Sequence, residues 1–478
     1  MSLYVNALRV ARPRQLRARA LRPLARRRFP SAEPPRDAEP LPAARGLWAS
    51  AAFAASSPPD ASTRLGRFHR QYGDDVLTAA RAGDVEEARR LIATWIEAHP
   101  PHVGDAWHPY PLATRAGNWI AALTLQPELA SPEVSQSLWR QLLRLERNVE
   151  DDILGNHVIR DARTLVLGGA AFGAPDLQRR GIDLLRRELP EQILRDGGHY
   201  ERSPAYHLVV LRDLLEVHAV SPHSWLGEAI ERMRVFAAAL ARPDGAPALF
   251  NDGTVDAPEL ELPDPAEGLA VFDESGFVVV RDGPLWLAFR CGAAAPPYLP
   301  AHAHADALSL QLWWRGRPVL VDPGSYTYEA GADRDWFRST RAHSTVCVDG
   351  RDQFRLWGAF RSGPLPKVAL RYAREQAVEA SVVLPGRIRH VRRVEWAGDE
   401  VQVHDRLEGR GRHRVESRLV WAPQPAPVEL DVLGAGELRA EEAWVSERFG
   451  ERESTAVACV VAQVALPVSL GFRLRCLE

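Results

Sequence analysis

The stretch from Ala301 to Arg361 carries a dense set of groups that donate, accept or coordinate. It opens Ala-His-Ala-His-Ala-Asp (301–306), passes through Val321-Asp322-Pro323-Gly324-Ser325-Tyr326 and reaches Arg341-Ala342-His343-Ser344-Thr345. Alternate side chains of an extended strand share a face, so His302, His304 and Asp306 are expected to point the same way. Asp322 and His343, if brought in from neighbouring strands, complete a nitrogen and oxygen cluster suited to a metal ion or to proton transfer. A single histidine in a strand is ordinary packing. The His-x-His pair followed by Asp and His at strand spacings is harder to explain that way.

Three further clusters precede this stretch. Gly155-Asn156-His157 opens a helical pattern, with Asn156 placed as a candidate N-cap. The run Asp196-Gly197-Gly198-His199-Tyr200-Glu201-Arg202-Ser203-Pro204-Ala205-Tyr206-His207 joins a glycine turn to an N-cap serine followed by proline. That pattern fixes Tyr206 and His207 in a first helical turn and leaves Glu201 and Arg202 just before it. Trp107, Tyr110 and Arg115 resemble a carbohydrate cleft, with aromatic faces for sugar rings and a guanidinium for an anion. Aromatic helix packing accounts for such residues equally well.

The elements that must hold these groups fall into two kinds. From Asp74, apolar residues recur at three- and four-residue steps through Val76, Ala79, Ala80, Val85, Ala88, Leu91, Ile92 and Trp95. Similar segments follow at Arg115–Thr124, Ser131–Val149, Asn156–Ala171, Asp176–Leu194, Tyr206–Ala219 and Trp225–Leu240. Their short links predict antiparallel helical hairpins. After about Leu262 the period shortens to runs of Val, Leu and aromatics, such as Phe277–Val280, Leu285–Arg290 and Ala307–Trp314, separated by turn signals. Asp349-Gly350 is a hairpin turn signal. Many strands without intervening helices predict an antiparallel sandwich. The sequence thus divides into an extension over 1–60, a helical domain over 61–262 and a β domain over 263–478.

Composition bounds the function. At 478 residues the chain is long for one core, and 46% hydrophobic with 26% charged residues is the balance of a globular protein. A net charge of -2 gives no global case for nucleic acid. The four cysteines show no CxxC spacing, which argues against a zinc knuckle or a disulfide framework. No run is long enough for a transmembrane segment. The first thirty residues hold Arg9, Arg12, Arg14, Arg17, Arg19, Arg22, Arg26, Arg27 and Arg28 and no acid. This segment reads as a basic arm, solvated or partly helical, able to meet an acidic polymer or a membrane surface. From Leu16 to about Pro59, Pro and Ala dominate, and little regular structure is expected. No export signal is evident, which points to the cytoplasm.

Taken together, 196–207, His-Ala-His-Ala-Asp-Ala-Leu-Ser at 302–309, Val-Asp-Pro-Gly-Ser-Tyr-Thr-Tyr at 321–328 and Phe-Arg-Ser-Thr-Arg-Ala-His-Ser-Thr-Val at 337–346 resemble the heparinase II/III-like polysaccharide lyases. The resemblance implies an incomplete (α/α) toroid followed by an antiparallel β-sandwich, with a cleft between them. It implies β-elimination on an acidic, uronate-containing polysaccharide and a periplasmic setting. Asn156, with His157, matches the position that neutralises the substrate carboxylate. Tyr206 matches the catalytic tyrosine, and His302 matches a base or carboxylate partner. Substrate contacts are expected from Trp107, Tyr110, Arg115, Glu201, Arg202, His207 and Arg341. Some members hold a metal in the β domain, which here implies a structural divalent ion, zinc or else manganese or calcium, on His304, Asp322 and His343. A noncatalytic glycan-binding protein and a metal-dependent hydrolase are the competing readings, and monomer and homodimer are both open.

Overall fold

The computed structural model describes residues 8–25, 29–50, 60–102 and 104–477. Its helices are α1 (Pro13–Ala25), α2 (Arg45–Ala49), α3 (Arg64–His69), α4 (Asp74–Arg81), α5 (Val85–Ala98), α6 (Pro109–Leu125), α7 (Pro132–Glu146), α8 (Asn156–Ala171), α9 (Pro175–Gln192), α10 (Pro204–Val220) and α11 (Ser224–Leu240). Helix α6 lies against α4, α7 and α8, and α8 against α9 and α10. The two central helices are buried nearly all round, which suits the mixed apolar pattern of α6. The polar residues of α8 survive burial by pairing: Arg160 Nε lies 2.7 Å from Asp213 and Arg163 Nε 2.6 Å from Glu216, tying α8 to α10.

Strands follow from Gly268. β1 (Gly268–Phe272), β2 (Phe277–Asp282), β3 (Leu285–Arg290), β4 (Leu310–Trp314) and β5 (Arg317–Leu320) form one antiparallel sheet in sequence order. A second sheet runs β14-β17-β12-β11-β10-β9, from β14 (Val428–Gly434), β17 (Val468–Cys476), β12 (Glu400–Glu408), β11 (Ile388–Ala397), β10 (Ala377–Leu384) and β9 (Val368–Arg374). A third runs β15-β16-β13-β6, from β15 (Glu437–Val445), β16 (Glu453–Ala465), β13 (Arg412–Val420) and β6 (Val346–Val348). The short pair β7 (Leu356–Trp357) and β8 (Arg361–Ser362) and the helix α12 (Ala332–Arg338) complete the set.

The central strands of the first sheet, β2 to β4, are buried on both faces. Val278, Val280, Leu287 and Leu312 point into the β core, whereas Phe277, Val279, Trp286, Ala288 and Trp313 meet Phe236, Ala239 and Leu240 of α11. This explains why these strands are apolar throughout rather than alternating. The α11 contact is an apolar joint between the two halves, and residues 241–267 cross beside it. Asp349 and Gly350 both take positive φ, at 54° and 65°, as the turn signal required.

Three expectations need correction. Residues 301–309 are not a strand, for β4 starts only at Leu310. Here the Ala303 amide donates to Pro300 and Leu308 takes φ 64°, so the backbone turns, and Arg290 draws Asp306 aside with a 2.8 Å buried bond. The segment from Leu16 to Pro59 is not without regular structure, for α1 reaches Ala25 and α2 covers Arg45–Ala49, and the basic arm is partly helical as read. Helix α1 packs down through Arg14 on Glu188 (2.5 Å) and Arg22 on Glu150 (3.4 Å), because the helical half presents acids there; Arg26, Arg27 and Arg28 lie outside the described residues. Finally, β9, β10, β14 and β15 add to the expected strands: β9, β14 and β15 are edge strands with charged residues among the apolar ones, and β10, an inner strand, alternates buried with half-buried or exposed residues rather than forming an apolar run.

Buried Asp405 on β12 carries a structural load. Its carboxylate accepts from Arg392 Nε (2.7 Å) and Nη2 (2.8 Å), from His390 (2.6 Å) and from Ser417 (2.5 Å). Arg392 Nη1 also donates to the carbonyls of Leu308 (2.9 Å) and Ser344 (2.5 Å), steadying the two loops that carry His304 and His343. Although burial opposes it, Arg392 and His390 hold the Asp405 carboxyl well below its usual range. A depressed carboxyl contributes stability above its unfolded pKa of about 3.9, and that stability is lost as pH falls below it. Asp405→Asn should therefore lower unfolding free energy by about 3–5 kcal/mol at neutral pH, with a smaller deficit in acid, read by urea denaturation at several pH values. A deficit that stays the same down to strongly acid pH would refute the assignment.

Candidate active site

The site is assembled from loop and helix ends of both halves. Gly155, at φ 65°, precedes α8, and a Cβ there would fall 1.8 Å from Glu201 Oε1. That closeness lets the Glu201 carboxylate accept from the Asn156 backbone N–H (2.9 Å) and from Asn156 Nδ2 (3.0 and 3.2 Å). Asn156 is thus the first helical residue and not the N-cap. A buried anion from the 196–207 run satisfies the helix start instead, where the helix dipole favours negative charge. Glu201 is 2% exposed and serves as an anchor for Asn156 rather than a substrate contact. Burial opposes its charge, but His199, His302 and the Asn156 amides hold its carboxyl below the usual range.

Ser203 caps α10 as its type and the following proline predict, accepting from the Tyr206 N–H at 3.2 Å. Its hydroxyl also donates to the Asp252 carbonyl at 2.6 Å, which ties the start of α10 to the crossing segment. The rings of Tyr206 and His302 lie 4.1 Å apart between centroids. The hydroxyls of Tyr206 and Tyr328 are 2.8 Å apart. Burial pushes both phenols well above their usual range, despite the Tyr328 hydrogen bond that favours the Tyr206 anion. Tyr206 is therefore protonated at neutral pH.

Asp252 is the centre of the arrangement. Its carboxylate accepts from His302 Nδ1 (3.0 Å), His304 Nε2 (2.9 Å), Ser325 Oγ (3.3 Å) and both terminal nitrogens of Arg334, Nη2 at 2.7 Å. Burial opposes its charge, and Arg334 with the two imidazoles drives its carboxyl far below the usual range. His302 turns Nδ1 to Asp252, and its Nε2 lies 3.6 Å from Glu201 Oε2. On the other side, His157 Nδ1 meets Glu150 at 2.9 Å and its ring lies 4.5 Å from that of Tyr110. Burial lowers the His157 pKa, but Glu150 outweighs this and raises it above the ordinary value.

His304, Asp322 and His343 come together, with donor atoms all within 4.8 Å of one another. His304 gives Nε2–H to Asp252, and His343 gives Nδ1–H to the Ser339 carbonyl at 2.7 Å. The remaining nitrogens, His304 Nδ1 and His343 Nε2, face each other at 3.3 Å, and Asp322 Oδ2 lies 3.8 Å from the latter. Two lone pairs so placed repel unless a proton or a cation sits between them. Burial lowers both imidazoles, His343 to about 4, so the proton is disfavoured. Burial and Asp306 raise the Asp322 carboxyl well above its usual range, as for an oxygen lacking a cation. The residues fit a divalent ion, and their outer ring nitrogens are anchored as metal-binding imidazoles require.

Asn156, His157, Tyr206, His302, Glu201 and Tyr110 are thus brought to one place. Five other candidates are not. Trp107 is 3% exposed, with Nε1 on the His99 carbonyl, and Arg115 is buried against Gln141, the Gln71 carbonyl and the Trp95 ring. Arg202 turns away to the Glu274 carbonyl (3.0 Å), and His207 is locked between the His199 amide and the Met233 carbonyl. Arg341 is exposed on the β half, paired with Glu441. In each case local packing or a nearby acceptor claims the side chain. Asp252, Tyr328, Arg334 and Glu150 were not singled out. Asn251-Asp252-Gly253 reads as an ordinary turn, and only the fold reveals that its carboxylate is buried among cations.

Family models match most of the chain: heparinase II/III N-terminus over residues 92–275 and heparinase II/III-like, C-terminal, over 264–463. A heparin-sulfate lyase of Bacteroides stercoris is 26% identical over 336 residues, 59% of this chain and 47% of that protein. FtsZ-localized protein C of Caulobacter vibrioides is 27% identical over 309 residues, 60% of this chain and 53% of that one. The chain spans about half the length of these curated relatives. A crystal structure of heparinase III superposes with a TM-score of 0.72 at 14% identity, covering 98% of this chain and 92% of that one, so the fold is a helical toroid followed by antiparallel β-sheets. With adjoining N- and C-terminal models covering 92–463, the chain belongs to the heparinase II/III-like family.

Proposed function

We propose that the protein is a polysaccharide lyase that cleaves an acidic, uronate-containing glycan by β-elimination. The observation that carries this reading is the Asp252–His302 pair set against Tyr206: an oriented base and a protonated acid from opposite halves, with ring centroids 4.1 Å apart. His302 Nε2 takes the C5 proton while Asp252 holds Nδ1–H and stabilises the resulting imidazolium. The C4–O4 bond breaks, electrons from C5–H form the C4–C5 double bond, and the Tyr206 hydroxyl gives its proton to O4. Tyr328 is placed to hydrogen-bond the phenolate left behind. His157, charged by Glu150, holds the substrate carboxylate and favours the enolate-like charge that develops there.

A noncatalytic glycan-binding role is the second reading. It is favoured by the commitment of Asn156 Nδ2 to Glu201, which withholds the amide from a substrate carboxylate. Release of ultraviolet-absorbing unsaturated ends, screened over heparan sulfate, hyaluronan, chondroitin, alginate and bacterial exopolysaccharides, separates the two. Tyr206→Phe should cut that release by about 10²–10⁴-fold with little change in melting temperature, and undiminished turnover would remove Tyr206 from the reaction.

The pH profile tests His157. A raised histidine is charged below its raised pKa and loses its charge as pH climbs through it, so kcat/KM should fall on the alkaline side. Glu150→Gln removes the cause and should move that limb to lower pH; a limb that stays in place would exclude His157 as the carboxylate partner.

A divalent cation, zinc by ligand type or else manganese or calcium, belongs on His304, Asp322 and His343 in this reading. When bound it supplies fixed positive charge that neutralises Asp322 and links the 304, 322 and 343 loops. His304→Ala and chelation should each lower bound metal and melting temperature together. Full metal content in the variant would refute the ligand set.

A further inference from the structure

We propose that the N-terminal segments wall off one side of the cleft, so that the protein engages the end of a glycan chain and not its interior. This rests on the lyase reading of the same site and adds to it the mode of attack. The wall begins on the β half at Tyr298. The Arg12 guanidinium of the α1 approach sits 4.3 Å from the centre of its ring, and Gln15, 1% exposed, donates to its carbonyl at 3.5 Å. Tyr298 stands at the site itself, since Leu299 packs against Gly155 and His302 follows three residues later. Helix α1 then runs along the helical half, with Arg14 on Glu188, to Arg22, which bonds Asp152, reaches Glu150 at 3.4 Å and meets His108 Nε2 at 3.2 Å.

From His108 a second segment completes the arc. The ring of Phe68 on α3 is 4.9 Å from that of His108, and Arg67 bonds Asp105 at 3.0 Å. The first residue of α3, Arg64, donates its backbone N–H to Glu329 Oε1 at 2.8 Å, back on the β half. Glu329 adjoins Tyr328, the partner of Tyr206. Contacts therefore run from Tyr298 over His108 to Glu329, with both ends on the β half, and they touch the neighbours of His302, His157 and Tyr206 on the way. On its inner side the arc rests on Glu150, whose other oxygen holds His157.

A polymer lying across Tyr206 and His302 would have to pass through this packed arc. A chain entering from the open side would instead stop against it. Attack close to a terminus follows, with release of short unsaturated products of one size.

Two measurements test this on the full chain. In the first, a uronate polymer that yields unsaturated ends is digested and resolved by size-exclusion chromatography. One short product from the earliest time, with the parent peak scarcely shifted, is expected, and an early ladder of sizes would overturn the proposal. Arg22→Ala combined with Glu329→Ala, which loosens both ends of the arc, should shift products to longer sizes, and an unchanged single product would remove the arc as the cause. In the second, size-defined heparan sulfate or alginate chains are titrated with Tyr206→Phe protein and the complex mass is read by light scattering. One protein per chain at every length supports end binding; a count that grows with length, or no binding to any chain, overturns it. Unsaturated product in a ladder would sink the end restriction and keep the lyase, whereas end binding with no product from wild-type protein would do the reverse.

Discussion

One buried carboxylate organises the centre of this molecule. Asp252 sits in the segment that crosses from the last long helix to the first strand, and it accepts hydrogen bonds from two imidazoles, a hydroxyl and a guanidinium. An isolated charge at that depth would be costly; here the planar fork of Arg334 repays it in bidentate geometry, and the remaining lone pairs take His302, His304 and Ser325. Its backbone is held as well, by the Ser203 hydroxyl on its carbonyl and by the His302 carbonyl on its N–H. The orientation of His302 and of His304 is therefore one decision, made at a residue that belongs to neither motif.

That shared anchor joins two chemistries. His302 faces the cleft and Tyr206, whereas His304 turns inward to His343 and Asp322. The sites differ in what they lack. Tyr206 and His157 are held in their protonated forms, whereas in the inner trio two ring nitrogens face each other and burial disfavours a proton on either. Glu201 plays a parallel part on the helical side, where one carboxylate seats both the backbone and the amide of Asn156 at the helix start. Buried anions thus place Asn156 on the helical side and His302 and His304 on the other.

The rigid setting for this is apolar. Because α11 packs on the outer face of the first sheet while the inner face belongs to the β core, neither half can shift without exposing Phe236, Phe277 or Trp286. Two cationic threads, Arg392 to the 308 and 344 loops and Arg14 and Arg22 from the N-terminal helix, then fix irregular segments that hydrophobic burial alone would leave undirected. Loops carry the chemistry and paired guanidinium groups hold the loops in place.

Periodicity by itself determined the two-part order of helices then strands, because burial of one face repeats every 3.6 or two residues and leaves that mark in the chain. Helix α8 and strand β3 begin and end where their patterns do, and Ser203 caps as its neighbours demand. The residue types of Asn156, Tyr206, His302, His304, Asp322 and His343 were legible as chemistry for the same local reason, since no packing role explains such groups at such spacing. What only the tertiary structure decided is which way each one faces and what it meets. Alternation placed His302, His304 and Asp306 together, yet a turning backbone sent His302 to Tyr206, His304 to His343 and Asp306 to Arg290, with Asp252 shared between the two histidines. Arg115, Arg202 and His207 carried the right chemistry and were claimed by nearby carbonyls instead. Asp252 was invisible for the converse reason: a carboxylate before glycine is a common turn, and its weight comes from burial and from Arg334, 82 residues away along the chain. Contacts at that separation leave no period in a single sequence, so they are set by folding alone.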